Sequence, residues 1–445
     1  MVRPDNLSNE AEFSPILSSL KDIHAKYRQN TGGKIATYIP ELAKADPNLF
    51  GIALVTADGQ LYKVGDTEHL FTIQSISKPF VYGFALEDHG IEHVLGKVGV
   101  EPTGEAFNSI VFDERRNRPF NPMVNAGAIA TTALIKGADH DQRWGRLLDK
   151  FSTFAGRPLD IDHAVYVSER ATGHRNRAIG YLELNFGMVD EPITEHLDLY
   201  FEQCSILVSA RDLAVMAATL ANNGINPISG KRALETRYVK NVLSIMHSCG
   251  MYDYAGEWSY RVGLPAKSGV GGGIIAVLPG QFGIGTFSAP LDEQGNSARG
   301  IQVCEELSDR FKFHMFKSRT TTESSFAALI AATRYARSDT ADSLYLLAAG
   351  RVSICLTIKD SLRRQRLSTI SPGLAFGELA LLDGGTRSAD VIADEPTRCY
   401  VLPIAELQAL GKNHPAIENK LIFNIARELS SRLRQADEEI RSLAD

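Results

Sequence analysis

The sequence predicts two unlike folds in one chain. The first is a mixed α/β (α+β) domain whose sheet closes around an inserted helical region, and the second is a small β-roll with flanking helices. Three observations carry this. At 445 residues the chain exceeds the usual reach of one hydrophobic core. Strand patterns stand at both ends of the stretch from about 25 to 305, with mostly helical patterns between them. After a polar Ser/Thr-rich interruption, "FKSRTTTESSF" at 316–326, short β-like segments alternate with turns and one amphipathic helix closes the chain. The expected boundaries are 1–315 for the large domain, 316–340 for a linker or helical segment and 341–445 for the β-roll with its C-terminal helix.

Each element has a local reason. "FGIALVTADGQLYKVGD" is an apolar β-rich run, an Asp58-Gly59 turn and a second short strand, hence a hairpin. "SISKPFVYGFALEDHG" reads as a helix that ends at Gly90. In "SARDLAVMAATLANNG" Ser209 is an N-cap, Leu213, Met216, Ala217 and Leu220 recur at helical spacing, and Gly224 is the stop. "GVGGGIIAVLPGQFGIGTFSAPLD" gives two strands joined around Pro279-Gly280. Beyond the interruption, "SLYLLAAG", "RVSICLTI", "QRLSTISPG", "RSADVIA" and "TRCYVLP" read as strands. The closing helix carries Ile422, Ile425, Leu429, Leu433, Ala436, Ile440 and Leu443 on one stripe, which suits a dimer seam and packing on its own barrel equally well.

Composition excludes several function classes. A hydrophobic content of 44% with 22% charged residues belongs to a globular chain. The net charge of −6 supplies no basic field for nucleic acid or an anionic membrane. Five cysteines (Cys204, Cys249, Cys304, Cys355, Cys399), odd in number and without a CxxC, predict reduced thiols and a cytoplasmic protein. The polar start "MVRPDNLSNEAEFSP" is unlike a secretory signal, and no apolar run is long enough to span a bilayer. His174, His247 and Cys249 do not have metal-ligand spacing, so no metal is expected. The run Arg363-Arg364-Gln365-Arg366 reads as a solvated hairpin tip.

The chemistry is concentrated in "LFTIQSISKPF". Three residues apart on a helix, Ser75 and Lys78 share a face, so the amine can reach the hydroxyl. A lysine base must lose several units of pKa, which takes burial or a second cation. Phe71, Ile73, Pro79 and Phe80 offer burial, and Lys267 in "LPAKSGVGGGI" offers the cation. The glycines at 271–273 let the backbone near Val270 approach a ligand, so its N–H and that of Ser75 make a candidate oxyanion hole. Taken singly, Ser-x-x-Lys is also an ordinary helix start and the glycine run a bulged strand end.

"QSISK", "NPMVNAGAI", "SERATGHRNRAIGY", "LDLYFEQCSI", "CGMYD" and "GLPAKSGVGGGI" resemble, in order, the successive blocks of the serine-dependent glutaminase family over roughly residues 30–305. The resemblance implies a β-lactamase/transpeptidase-like fold, hydrolysis of L-glutamine to L-glutamate and ammonia, and no cofactor. It implies Ser75 as nucleophile, Lys78 as its base and Tyr252 as proton relay, with an oxyanion N–H from Val270. Substrate contacts are implied at Tyr38, Asn125, Glu169, Asn176 and Tyr200. Such assignments suit glutamine, whose ammonium needs an anion and whose carboxylate needs neutral donors. By themselves, Tyr200 also reads as core and Asn125 as a turn or cap.

In the second module, "AFGELALLDGGTRSADVIA" resembles the phosphate-binding cassette of cyclic-nucleotide-binding domains. The resemblance implies a cyclic nucleotide as ligand, with Glu378 on the ribose and Arg387 and Ser388 on the phosphate. One departure stands upstream: "FAALIAATRYARSDTAD" reads as helix where the family has a strand pair, which leaves nucleotide binding and a dimerising relic both open. Expected partners are therefore L-glutamine, a cyclic nucleotide and further copies of the chain in a homodimer or homotetramer. The competing readings are another serine acyl-enzyme and a nucleotide-responsive scaffold with a degenerate catalytic domain.

Overall fold

The computed structural model describes residues 15–105, 108–311, 313–315, 343–357, 364–378, 389–394, 397–413 and part of 415–430. It divides into two compact units at Lys317. In the first unit, helix α1 (Pro15–Tyr27) precedes strands β1 (Gly51–Thr56) and β2 (Leu61–Gly65), the expected hairpin. Its turn needs Gly59, whose φ of 92° lies in the left-handed region. Strand β3 (Phe71–Thr72) leads through a 3₁₀ turn, Gln74–Ser77, into α2 (Lys78–His89) and α3 (Ile91–Lys97). The short pair β4 (Phe112–Asp113) and β5 (Arg118–Pro119) comes next, before α4 (Asn125–Ala133), α5 (His140–Ala155), α6 (His163–Thr172), α7 (His174–Asn185) and α8 (Ile193–Cys204). Strand β6 (Leu207–Val208) pairs back onto β3, fastening the end of this helical insertion beside the 3₁₀ turn.

Helix α9 (Ala210–Ala221) begins at the expected Ser209, which forms a reciprocal capping box with Asp212. It ends at Ala221, three residues before the left-handed Gly224. After it come α10 (Thr236–Cys249), α11 (Ala255–Arg261), β7 (Ala266–Ser268), β8 (Gly273–Leu278), β9 (Phe282–Phe287) and α12 (Ala298–Phe311). The sheet order is β2-β1-β9-β8-β7, antiparallel throughout, so strands from both ends of the unit close one sheet around the helices, as the sequence predicts. One face packs Phe71, Leu213, Ile275 and Phe287 with the helical insertion, and the other packs Leu54, Ile274, Ile284 and Trp258 beneath α11 and α12.

The second unit holds two three-stranded sheets. One has β10 (Ser343–Ala349) between β13 (Ala375–Phe376) and β15 (Arg398–Pro403), and the other has β11 (Val352–Thr357) between β12 (Arg364–Ile370) and β14 (Asp390–Ala393). Tyr345, Leu347, Val352, Ile370 and Phe376 form the core, and α13 (Ile404–Asn413) follows. Arg364 to Arg366 pair with Thr357 to Cys355 as the start of β12, at the connecting end of the β11–β12 hairpin, and Arg363 lies outside the described residues. Ile425 and Leu429 of the closing stripe pack with Leu344, Ala375 and Leu402 of the same barrel. Leu433 to Leu443, the linker and the segment before Ser343 lie outside the described residues.

Among the described residues one carboxylate is conspicuously out of place for stability. Glu183 on α7 is fully buried and neither side-chain oxygen has a hydrogen-bond partner. Burial holds its carboxyl well above the usual carboxylate range. A raised pKa means that the folded state keeps a proton the unfolded state loses, so stability falls as pH rises above about 4.5. Replacing Glu183 with Leu should therefore raise the melting temperature, and by more at pH 8 than at pH 5. Equal or lower melting temperatures across that range would show a stabilising partner for the carboxylate.

Candidate active site

Ser75 sits in the 3₁₀ turn that feeds α2, and Lys78 is the first residue of that helix. Side chains three residues apart eclipse one another in a 3₁₀ turn, so the spacing works although the turn is tighter than the predicted α-helix. Gln74 immediately before Ser75 has a φ of 50°, a left-handed conformation that a side chain disfavours. The glycine run makes room for this turn: a Cβ on Gly271 would stand 2.6 Å from the Thr72 carbonyl oxygen. Val270 is buried in that run with Ala36 and Leu291.

Lys78 is 1% exposed. Its Nζ donates to the Met123 carbonyl at 3.1 Å and to Asn125 Oδ1 at 2.7 Å, and no ion pair to it exists among the described residues. Burial lowers its pKa from the usual lysine value to about 8 against the pull of the Cys204 thiol and the Glu169 carboxylate. Both acceptors are neutral, so they hold the amine in place without restoring its charge. Asn125 in turn donates through Nδ2 to Asn176 Oδ1 at 2.8 Å, which fixes its amide orientation and links α4 to α7.

Glu169, from α6, is 5% exposed, and its Oε2 has no hydrogen-bond partner. Burial raises its pKa to about 8, opposed by a hydrogen bond from Gln74 and by Lys78. An acid and an amine that neither pair nor reach water are an unfinished electrostatic arrangement, and a ligand cation would complete the acid. Tyr200 of α8 is buried, and burial holds its phenol well above 10, with Cys204, Glu169 and Tyr38 nearby. Tyr38 is 55% exposed over the whole residue, whereas its phenol behaves as a buried group near Glu169, Tyr252 and Cys204. The hydroxyl, with Glu169, Tyr252 and Cys204 as its charged and polar neighbours, decides the chemistry.

Tyr252 is a direct neighbour of Ser75. Its φ is 57°, its hydroxyl donates to the Ser268 carbonyl at 3.1 Å, and it shares a hydrogen bond with Ser75. Burial pushes the phenol up to about 12, so it stays protonated and able to donate. Lys267 stands against it, with Nζ 3.9 Å from the ring centroid. A narrow cleft lined by Thr103, Glu105, Met123, Val124, Cys249 and Tyr252 opens beside Tyr252. Ser75, Lys78, Tyr252, Asn125, Glu169, Asn176, Tyr200 and Tyr38 are thus joined by the contacts and electrostatic neighbourhoods above. In the second unit Glu378 is buried just after β13, while Arg387 and Ser388 lie outside the described residues. No group able to hold a metal ion occurs among the described residues.

The family profile named Glutaminase matches residues 33–316, and that named Cyclic nucleotide-binding domain matches residues 333–414. The chain is 60% identical to a glutaminase of Trichormus variabilis over 69% of its own length and 92% of that protein. It is 61% identical to a glutaminase of Microcystis aeruginosa over 71% and 93% respectively. This chain belongs to the glutaminase family. Among solved structures, a probable glutaminase, ybaS, covers 68% of this chain and 98% of its own at 41% identity and a TM-score of 0.66. Mglu in its glutamate form covers 68% of this chain and 70% of its own at 44% identity with the same TM-score. The mixed α/β fold expected of this glutaminase-family chain is that of these neighbours.

Residue-by-residue reading missed Gln74, Cys204 and the Met123 carbonyl. Gln74 touches Glu169 from a position next to Ser75, and Cys204 lies between Tyr200 and Ser77. The lowered pKa of Lys78 persists because its acceptors are neutral, which yields a direct test. Asn125→Asp would put a carboxylate at the acceptor 2.7 Å from Nζ and favour the ammonium. The acid limb of the rate profile should then move to higher pH by about one unit or more, since each unit needs only about 1.4 kcal/mol of added charge stabilisation. A limb that stays in place would place the titrating base elsewhere.

Proposed function

We propose that this glutaminase-family chain hydrolyses the side-chain amide of L-glutamine to L-glutamate and ammonia through a glutamyl ester of Ser75. The observation that carries the reading is the desolvated Lys78 amine, one 3₁₀ turn from Ser75 and held only by neutral acceptors. Once neutral, Lys78 takes the Ser75 hydroxyl proton as Oγ attacks the amide carbon. The carbonyl electrons move onto oxygen, which the backbone N–H groups of Ser75 and Val270 receive. Tyr252 passes the proton from Lys78 to the amide nitrogen, the C–N bond breaks and ammonia leaves. Water then attacks the ester, its proton returning through Lys78 to Ser75 Oγ as glutamate is released. Glu169 takes the substrate ammonium, and Asn125, Asn176, Tyr38 and Tyr200 supply neutral donors to its carboxylate.

Four outcomes test this. An electrophilic glutamine analogue, diazo-oxo-norleucine, should label Ser75 in peptide mass spectra, and Ser75→Ala should lose several orders of magnitude in kcat. Labelling of Ser77 or a cysteine instead would sink the assignment. Both Lys78 and Glu169 titrate near 8, one needed neutral and the other charged, so kcat/KM should rise with pH through about 8. Glu169→Gln should raise KM at least about tenfold, the loss of a charge-assisted contact of roughly 1.5–3 kcal/mol.

The cyclic-nucleotide-binding domain supports a regulatory ligand. Cyclic AMP or cyclic GMP binding only the folded state raises the melting temperature by mass action. Arg387→Ala should abolish that shift and leave nucleotide-free glutamine hydrolysis intact. Calorimetry without heat for either nucleotide at millimolar concentration would favour the relic reading.

A further inference from the structure

Lys267 is a fully buried lysine that the reaction scheme leaves unused. It lies on β7, and its Nζ donates to the Ser268 carbonyl at 2.7 Å. The same carbonyl accepts the Tyr252 hydroxyl at 3.1 Å, and the Lys267 amine also lies 3.9 Å from the Tyr252 ring centroid. One carbonyl oxygen has two lone pairs, so both donors fit it at once. Tyr252 needs holding, because a φ of 57° is an uncommon conformation for a bulky residue. The chain is built to bring the two together: a Cβ on Gly250 would stand 1.8 Å from the Ala266 carbonyl oxygen, so only glycine lets the end of α10 press this closely on β7. We infer that Lys267 is a positioning residue for Tyr252, its amine bracing the phenol against the Ser268 carbonyl so that the hydroxyl stays at Ser75.

The competing role is that of a second cation acting on Lys78. The titratable groups facing Lys267 are Lys78, Cys249 and Tyr252. Burial first, then Lys78, hold Lys267 well below the usual lysine range, whereas burial is the cause that depresses Lys78. A neutral amine still donates to the carbonyl and to the ring face.

The inference rests on the assignment of Tyr252 to proton transfer, and the test separates the two. Lys267→Met should lower kcat by roughly ten- to a hundredfold with KM within about threefold, the size expected for a reacting group displaced by about 1 Å. In a Tyr252→Phe background the same change should cost less than about threefold more, because two residues acting through one group are not additive. The acid limb of kcat/KM should stay within about half a pH unit of the parent. With turnover silenced by Ser75→Ala, the carbon-13 resonance of the Tyr252 ring should shift on Lys267→Met. Should the methionine variant not fold, Lys267→Gln keeps a donor for Ser268 and should give a smaller loss in the same pattern. Multiplying effects of Lys267→Met and Tyr252→Phe, a limb displaced upward by a unit or more, or an unmoved Tyr252 resonance would overturn the inference. A fully active Tyr252→Phe enzyme whose Tyr252 resonance still responds to Lys267 in the parent would overturn the catalytic role and leave the brace.

Discussion

The first unit depends on a lysine held out of water without a counter-ion. Removing an ammonium from water costs on the order of several kcal/mol even after relaxation, and a carboxylate partner would remove the penalty together with the reactivity. Lys78 instead meets a backbone carbonyl and an amide oxygen, which satisfy two of its hydrogens and leave its charge unsupported. Its position sharpens this. Lys78 opens α2 and its amine donates to Asn125, the first residue of α4, so the amine joins the starts of two helices. The 3₁₀ turn and the start of α4 meet at this one desolvated amine, three residues along the chain from Ser75.

Glu169 carries the matching debt with the opposite sign. An acid whose Oε2 is buried and unpartnered keeps a proton to about pH 8, so the unliganded site holds a near-neutral acid and amine within electrostatic reach of each other. They do not form an ion pair, because Gln74 engages the acid and Asn125 and Met123 engage the amine. Under the proposed reaction a substrate ammonium would give Glu169 the partner that Lys78 is prevented from being, and the two tasks that a direct Lys–Glu contact would merge, holding a cation and supplying a base, would stay separate.

Features legible in the sequence are those with short-range causes. The Asp58-Gly59 hairpin, the Ser209 cap and the strand pair about Pro279-Gly280 follow from neighbours within a few residues, and Ser75 and Lys78 are three apart. What the residues alone left open was decided at long range. Asn125 reads as a cap until Lys78, 47 residues away, is seen to donate to it. Tyr200 reads as core and is buried, yet its phenol lies among Cys204, Glu169 and Tyr38. The left-handed backbones of Gln74 and Tyr252 have no local signal, since neither residue type favours that conformation, and only the packing around them sustains it.

The same reasoning constrains the second unit. An amphipathic stripe can be spent once, and Ile425 and Leu429 spend it on Leu344, Ala375 and Leu402 of their own barrel. That much of the helix contributes to the core of the unit and is not free to form a seam with a second copy. Glu378 is a buried carboxylate just after β13, within the stretch matched by the cyclic nucleotide-binding profile. Binding there changes catalysis only if the nucleotide has unequal affinity for two states of the protein, so a bound nucleotide and a regulated glutaminase are separate physical claims.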